Sequence, residues 1–200
     1  RFTSVKNGLE ASLLAFVPLN DSCEVNQIKL TNKSSEKKSF TLFSYIEFCL
    51  WNAMDDMTNY QRNLNTGEVE VVDSTIYHKT EYRERRNHFA VYSVNAPVDG
   101  FDTSRDEFLG AYRGVTDPQV VEEGKSHNSI TSGWYPIGSH QINVTLEPGE
   151  TKSFIFVLGY CENPKDEKFV APNVINKKPA DVLLAKYQTD EQVYAALDEL

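Results

Sequence analysis

Short runs of alternating or continuous apolar residues recur from residue 9 to about residue 160, and they restrict this chain to an all-β fold. The runs are rich in Phe, Val, Ile and Tyr, and turn residues separate them. Many short strands at regular spacing predict an antiparallel sandwich or barrel. We expect strands at residues 9–17, 23–30, 39–48, 69–77, 89–94, 141–146 and 153–160.

Three of the connections carry local signals. The polar and charged residues 33–38 predict a solvated hairpin turn. At Pro148-Gly149, proline presets φ at one position and glycine supplies a positive φ at the next, which predicts a tight turn. The segment 98–137 has weak periodicity, but Ser104 and Glu107 predict one helical turn closed by a capping box. Long loops of this kind on a rigid sheet often line a site or an interface.

The pattern becomes helical after Asn163-Pro164. Pro179 fits the first turn of a helix that continues to about Tyr187. Residues 189–192 form a capping-box sequence that opens a second helix. We therefore expect a β-sandwich domain over residues 1–163 and a linker with helices over residues 164–200. Because the chain starts inside a strand-like alternation and stops inside a helical pattern, we expect a segment of a longer protein, truncated at the N-terminus of its sandwich.

Charge and cysteine usage exclude several classes of protein. The 200 residues carry a formal charge of −9, which disfavours nucleic acid as a partner. No apolar run is long enough to span a membrane. The three cysteines, Cys23, Cys49 and Cys161, are odd in number and widely spaced. They predict free thiols in a reduced, cytoplasmic compartment.

The alternation stops between the strands that end near Phe48 and begin near Glu68. A loop of about 15 residues replaces it, a length usually explained by function or disorder. Its composition argues against disorder, because disordered linkers are poor in aromatic residues and this loop carries Trp51 and Tyr60. Amides donate and accept hydrogen bonds as sugar hydroxyls do, and an aromatic face stacks on a pyranose. The amides are those of Asn52, Asn59, Gln61, Asn63 and Asn65.

The loop therefore predicts a carbohydrate contact. From the residues alone, a structural loop whose amides satisfy its own backbone is an equal alternative.

The same loop carries a family resemblance. The sequences Trp51-Asn52-Ala53, Asp55-Asp56 and Thr58-Asn59-Tyr60-Gln61-Arg62-Asn63 resemble the N-terminal domain of inverting disaccharide phosphorylases of glycoside hydrolase family 94. The loop motif is specific to the cellobiose-type members. Residues 104–113 and 146–159 resemble segments common to these domains, so the resemblance covers nearly the whole chain.

The resemblance implies a fold and an activity. The fold is an antiparallel β-supersandwich of the galactose-mutarotase-like kind, followed by the start of a linker helix pair leading to an (α/α)6 catalytic barrel that this chain lacks. The reaction is the reversible conversion of cellobiose and inorganic phosphate to α-glucose 1-phosphate and glucose, without a cofactor. The family's dimers imply a homodimer in which Asn52, Asn59 and Gln61 bind substrate in the partner subunit's sugar site, with Trp51 anchoring the loop.

No residue of this chain is expected to be catalytic. In the resembled family the acid and the phosphate ligands lie in the barrel. The adjacent pair Asp55-Asp56 points different ways in an extended loop, so it cannot easily bracket one glycosidic bond. The histidines show no metal-ligand spacing, and no metal site is expected. They are His78, His88, His127 and His140.

Two other functions compete with this interpretation. A free-standing carbohydrate-binding module is disfavoured by the helical tail, because such modules usually end with their last strand. An aldose epimerase of similar fold needs a carboxylate base and a histidine acid that converge in a groove. The sequence places no such pair, and it does not exclude one.

Overall fold

The computed structural model describes residues 1–48, 67–79, 87–133 and 136–200, which form antiparallel sheets with short helices. The strands are β1 (Phe2–Lys6), β2 (Leu9–Phe16), β3 (Cys23–Asn32), β4 (Lys38–Phe43), β5 (Ile46–Glu47), β6 (Gly67–Val72), β7 (Thr75–His78), β8 (His88–Val94), β9 (Gly100–Ser104), β10 (Ser132–Gly133), β11 (Pro136–Leu146), β12 (Thr151–Glu162), β13 (Phe169–Ala171) and β14 (Val174–Ile175). The helices are α1 (Arg105–Leu109), α2 (Gln119–Glu123), α3 (Lys178–Leu184) and α4 (Asp190–Asp198), with a 3-10 turn at Ala185–Tyr187. The predicted all-β supersandwich is confirmed.

Two sheets enclose the main core. The large sheet has eight strands in the order β1-β2-β3-β12-β8-β7-β6-β10. In the small sheet, β4 and β5 pair along one edge of β11 and β9 pairs along the other. Side chains from both sheets interdigitate between them, and these are Leu30, Tyr92, Val94, Phe154 and Phe156 from the large sheet and Ile142, Val144 and Leu146 from the small one.

The strand predicted at residues 39–48 is interrupted at Ser44. The Ser44 backbone N–H donates to the carbonyl of His140 at 3.0 Å, as a ladder bond would. The return bond goes to the side chain instead, because the His140 N–H donates to Ser44 Oγ at 2.9 Å. A hydroxyl thus replaces a backbone acceptor, and β4 ends there while β5 resumes in the same register.

The large sheet is covered on both faces. In β12, Phe154 and Phe156 point into the sandwich, whereas Ile155 and Val157 point outward. Helical side chains cover the outward face, and they include Ala180, Leu183, Leu184, Tyr187 and Val193. A strand buried on both faces has a nearly continuous apolar sequence. This explains the unbroken run at residues 154–158.

Carboxylates fasten the helical tail to the sandwich: Asp21 accepts from Lys186 Nζ and the Tyr187 hydroxyl, Glu70 of β6 pairs with Lys177, and Asp190 binds the sheet surface. Asp190, at the start of α4, accepts hydrogen bonds from Gln27 Nε2 and Ser153 Oγ, each at 2.6 Å. Its second oxygen lies 2.6 Å from Lys29 Nζ. Burial raises the pKa of Asp190, but these donors outweigh burial and lower it below the usual value.

The predicted Pro179 helix start and the Thr189–Gln192 capping box are both present. The domain division at residue 163 stays a prediction.

The single strand predicted at residues 69–77 is wrong, because a turn at residues 73–74 divides it into β6 and β7, which pair antiparallel.

The hairpin predicted at residues 33–38 is also wrong. β3 lies in the large sheet and β4 in the small one, so this turn crosses between sheets. The predicted turn at Pro148-Gly149 is present, with Gly149 at a φ of +78°. It also crosses between sheets, because it joins β11 to β12. Alternation reports strands but does not report which sheet each strand joins.

Asn32 connects these two crossings. Its backbone N–H donates to Glu150 O at 3.0 Å and its carbonyl accepts from Gly149 N at 2.8 Å. Its side-chain Nδ2 donates to Glu36 O at 2.7 Å and to Leu146 O at 3.1 Å. The residue is fully buried. The single buried side-chain amide of Asn32 therefore satisfies backbone carbonyls from both turns.

The segment 98–137 is more ordered than its sequence suggests, since it contains β9, α1, α2 and β10. The expected helical turn at Ser104 is present, and Ser104 Oγ accepts from Glu107 N at 3.4 Å. In a capping box the Glu107 side chain would accept from the Ser104 N–H. Here the Ser104 N–H donates to Ser129 Oγ instead, at 3.2 Å. α1 and α2 pack through Phe108 and Val120 on the outer face of the small sheet.

We predict that Asn32→Ala destabilises the chain by about 2–3 kcal/mol, because it leaves buried carbonyls of both turns without a donor. Urea unfolding followed by circular dichroism measures this. Asn143→Ala is the matched control, since Asn143 is an exposed amide on β11, and it should cost less than about 0.5 kcal/mol. Equal midpoints for the two variants would show that Asn32 does not fasten the sandwich.

Candidate functional site

The predicted sugar-contacting loop lies between β5 and β6. Asn52, Asn59 and Gln61 fall outside the described residues, as do the aromatic and acidic residues of the same loop. Their roles stay predictions. The strands that bound the loop are described, and they lie in different sheets, with β5 in the small sheet and β6 in the large one. The loop therefore connects the two sheets of the sandwich.

The strand that leads into this loop is tied to α1 by an ion pair. Glu47, in β5, accepts from Arg105 Nε at 3.0 Å and from the Tyr45 hydroxyl at 2.7 Å. The Tyr45 ring packs against Phe108 of α1, with ring centroids 5.0 Å apart. The segment just before residue 49 is thus held by charge and by packing. Sequence reasoning missed this pair, although Arg105 belongs to the family-like segment 104–113.

Phe48 extends this anchorage to the large sheet. Its ring stacks on His78 of β7, with centroids 4.9 Å apart and an interplanar angle of 17°. Burial, aided by the charge of Lys168, lowers the pKa of His78 to about 3. His78 is therefore neutral at physiological pH and serves as a packing ring.

A second buried histidine lies between the sheets. The His140 ring packs against Tyr92 with centroids 4.9 Å apart, and its Nδ1 lies 3.3 Å from Ser44 Oγ. Burial lowers the pKa of His140 to about 4. This histidine is also neutral at physiological pH, as a residue of the core.

A groove of about 400 Å³ lies beside the start of the predicted loop, between the end of β5 and strands β3, β8 and β12. Glu24 and Glu47 supply carboxylates, and Phe48, Leu158 and Tyr160 supply apolar surface. None of its described lining residues is a histidine. The carboxylate and histidine pair that an epimerase needs is therefore not assembled there from described residues.

Two described histidines lie close to carboxylates. His88 Nε2 lies 3.5 Å from Glu162 Oε1, and His127 contacts two carboxylates. Its Nε2 lies 2.8 Å from Glu123 Oε2, and its Nδ1 lies 3.5 Å from Glu107 Oε2. The bond to Glu123 is the main reason that the pKa of His127 is raised. Both ring nitrogens of His127 therefore face carboxylates. The arrangement is an ion cluster that joins α1 to α2.

Two described cysteines are inert thiols. Cys23 and Cys161 are free and buried. Burial raises the pKa of Cys23 to about 11 and that of Cys161 to about 12. Both thiols are therefore protonated at neutral pH, and a protonated thiol is a poor nucleophile and metal ligand.

Within the described ranges, metal-binding clusters and membrane-spanning helices are both absent. No group of three or more His, Cys, Asp or Glu side chains within them is placed to hold a metal ion. No helix within them combines the length and the apolar surface that crossing a bilayer requires.

Comparison with known proteins gives a family match. Residues 1–190 match the family model described as the glycosyl hydrolase 94 supersandwich domain. An N,N'-diacetylchitobiose phosphorylase of Vibrio proteolyticus is 30% identical over 163 residues, which are 80% of this chain and 20% of that protein. The Vibrio furnissii protein of the same name is 28% identical over 98% of this chain and 23% of its own length. The chain thus spans about a fifth to a quarter of these curated relatives.

Solved structures support the fold. A bacterial glucoamylase complexed with acarbose superposes with a TM-score of 0.54, covering 96% of this chain and 24% of that chain. The sequence identity is 12%, so this likeness concerns the fold alone.

The buried histidines predict acid sensitivity. Their folded pKa values of about 3 and 4 lie below the unfolded value of 6.5, so protons bind preferentially to the unfolded state below pH 6.5. The stability contributed by neutral His78 and His140 is complete above that pH and falls as pH drops towards the folded pKa values. Between pH 7 and pH 5, protonation of each histidine in the unfolded state should lower the free energy of unfolding by about 2 kcal/mol.

Urea unfolding at the two pH values measures this loss. His140→Phe retains a ring against Tyr92 and should remove about half of the loss, whereas His127→Gln, at an exposed ion cluster, should not. An unchanged loss in His140→Phe would exclude His140 as its source.

Proposed function

Because the chain belongs to the glycosyl hydrolase 94 supersandwich domain family, we propose that it is the N-terminal β-sandwich domain of an inverting disaccharide phosphorylase. The family match over residues 1–190 is the observation that carries this proposal. The proposed reaction converts cellobiose and inorganic phosphate to α-glucose 1-phosphate and glucose, with phosphate as co-substrate and no cofactor. The proposed enzyme is a cytoplasmic homodimer, and the protonated free thiols Cys23 and Cys161 are consistent with a reduced compartment.

The chemistry explains why this domain needs no catalytic acid. In an inverting phosphorolysis, one carboxylic acid protonates the glycosidic oxygen while phosphate attacks the anomeric carbon from the opposite face. Phosphate replaces the base-activated water of an inverting hydrolase, so a single catalytic carboxylate suffices. We propose that this acid and the phosphate ligands lie outside residues 1–200. The domain's own work is scaffolding, dimer contact and a loop contribution to the sugar site.

The ion pair of Glu47 and Arg105 supports the loop's role. Loops that contribute to sites work when a rigid scaffold positions them. The last residues before the loop, Glu47 and Phe48, are held by Arg105 on one side and by His78 on the other. A loop that leaves from such a base can present Asn52, Asn59 and Gln61 to a sugar with little loss of entropy on binding.

The substrate has a second candidate. The sequence Thr58–Asn63 resembles cellobiose-type members, whereas two relatives are named for N,N'-diacetylchitobiose. The two disaccharides differ at the C2 substituent, where an acetamido group needs more room than a hydroxyl. We favour cellobiose, and phosphorolysis of each disaccharide by the full-length enzyme decides between them. A higher kcat/KM for N,N'-diacetylchitobiose would overturn the cellobiose assignment and leave the reaction class intact.

We predict that the 200-residue chain alone does not phosphorolyse cellobiose, because the proposed catalytic acid and phosphate ligands lie outside residues 1–200. The measurement is glucose 1-phosphate formed from cellobiose and phosphate, with the full-length enzyme as the positive control. Product above a no-protein blank would place the catalytic acid inside this chain and contradict the proposed division of labour.

We also predict that Asn52→Ala, Asn59→Ala and Gln61→Ala in the full-length enzyme raise KM for the disaccharide several-fold and leave kcat unchanged. Each loses one neutral hydrogen bond worth about 1 kcal/mol, made equally in ground and transition states. The KM for phosphate should not change. Asn143→Ala is the control for an amide remote in sequence from the loop. Unaltered sugar kinetics in all three variants would make the loop a structural element only.

A further inference from the structure

Tyr112 is held in an exposed and strained position. Its relative exposure is 108%, and its φ is +62°, in the left-handed region that an aromatic residue rarely adopts. A large aromatic side chain gains nothing from folding when it contacts only water. Strained residues persist where the surrounding structure fixes them, and they cluster at sites that bind ligands. The position of this ring therefore calls for an explanation outside the fold.

The loop around Tyr112 is built to keep the ring outward. Gly110 has a φ of +85°, and a Cβ at that position would collide with the Gln119 side chain. The Gly114 N–H donates to Asp117 Oδ1 at 3.1 Å. Arg113, next to Tyr112, pairs with Glu122 of α2. The ring is thus presented by a fixed turn.

Tyr112 lies on the wall of a cleft of about 540 Å³. This volume is within the range of about 300–1,000 Å³ that is usual for small-molecule sites. The cleft runs along the segment 105–113 and reaches α2 and the His127 loop. Its charged and polar lining comprises Arg105, Arg113, Asp106, Glu107, Gln119 and His127.

The charges of this lining favour a neutral ligand. Two guanidinium groups would oppose a cation, and the carboxylates of Asp106 and Glu107 would oppose a phosphate or a carboxylate ligand. The same groups offer donors and acceptors at close quarters, which is what a hydroxyl needs. An exposed aromatic face beside them suits the apolar C–H face of a pyranose ring.

The polar groups are held in place before any ligand arrives. Arg105 is fixed by Glu47 at 3.0 Å, and His127 is fixed by Glu123 at 2.8 Å. Behind them, the fully buried Asp102 accepts from His127 N at 3.2 Å and from Ser129 Oγ at 2.7 Å. A site whose groups are already ordered loses less entropy on binding.

We propose that this cleft is a carbohydrate-binding site for neutral pyranose units, with Tyr112 as the stacking platform. The site uses none of the residues Asn52, Asn59 and Gln61, and it requires no catalysis by this chain. It goes beyond the proposed function, and it is tested on the 200-residue chain by binding alone.

The test is a nuclear magnetic resonance titration of the ¹⁵N-labelled chain with cellobiose, N,N'-diacetylchitobiose and, separately, sodium phosphate. Cellobiose or N,N'-diacetylchitobiose should shift the amides of residues 105–113, 119 and 127. Phosphate should leave these amides in place. Sugar shifts confined to other residues, or phosphate shifts at these amides without sugar shifts, would overturn the assignment.

Two variants separate stacking from structure. Tyr112→Phe keeps the ring and should bind as the parent chain does. Tyr112→Asn should weaken sugar binding roughly 3- to 10-fold, the range expected for one aromatic contact. Asparagine tolerates a positive φ, so its melting temperature should be equal to or above that of the parent. Weaker binding therefore reports the lost ring and not unfolding.

Unchanged sugar affinity in Tyr112→Asn would overturn the proposal. So would concentration-dependent self-association of the parent chain that this variant removes, because the ring would then be a protein contact.

Discussion

Two of the chain crossings between the sheets depend on one buried amide. Asn32 ends β3, and it bonds through its backbone to the turn that leads into β12 and through its side chain to both turns. Each crossing moves the chain from one sheet to the other, so an error at either one would detach β4 or β11 from its place. A carboxamide suits this position because its Nδ2 donates to two backbone carbonyls while its Oδ1 accepts from the N–H and the hydroxyl of Ser34. The core between the sheets can close only when these polar groups are satisfied.

The elements that cover the large sheet explain the sequence of its strands. β12 is apolar on both faces, because the small sheet covers one face and the helical tail the other. The tail is held by apolar packing and by Asp190, whose three donors come from the sheet surface. Residues after 163 therefore share a core with the sandwich, even though their sequence pattern is helical.

Local sequence signals predicted the Pro148-Gly149 turn, the Pro179 helix, the Thr189 capping box and most of the long strands, although residues 69–77, expected as one strand, form β6 and β7. These features depend on neighbouring residues, and alternation or capping chemistry reports them directly. Three features could not be predicted. The sheet crossing after Asn32 depends on a partner more than a hundred residues away. The break at Ser44 depends on a hydroxyl replacing a carbonyl, and the capping of Ser104 depends on Ser129.

The candidate site was predicted only where composition carried the signal. Aromatic and amide residues pointed to the loop that contains Asn52, Asn59 and Gln61, but Tyr112 gave no such signal. One tyrosine in a Gly- and Arg-rich segment is ordinary, and its importance depends on its exposure and its backbone conformation. The partners of Glu47 were equally hidden, because β5 and α1 are distant in sequence.

The Glu47–Arg105 pair also connects the two regions that we propose to contact sugars. Glu47 lies at the start of the predicted loop, and Arg105 lines the Tyr112 cleft. Phe108 packs on Tyr45 and so fixes α1 against the small sheet, which leaves the pair little freedom to separate. An ion pair that is about one-third exposed contributes little to stability. Its value lies in geometry, because a shift of either partner would move both the base of the loop and a wall of the cleft.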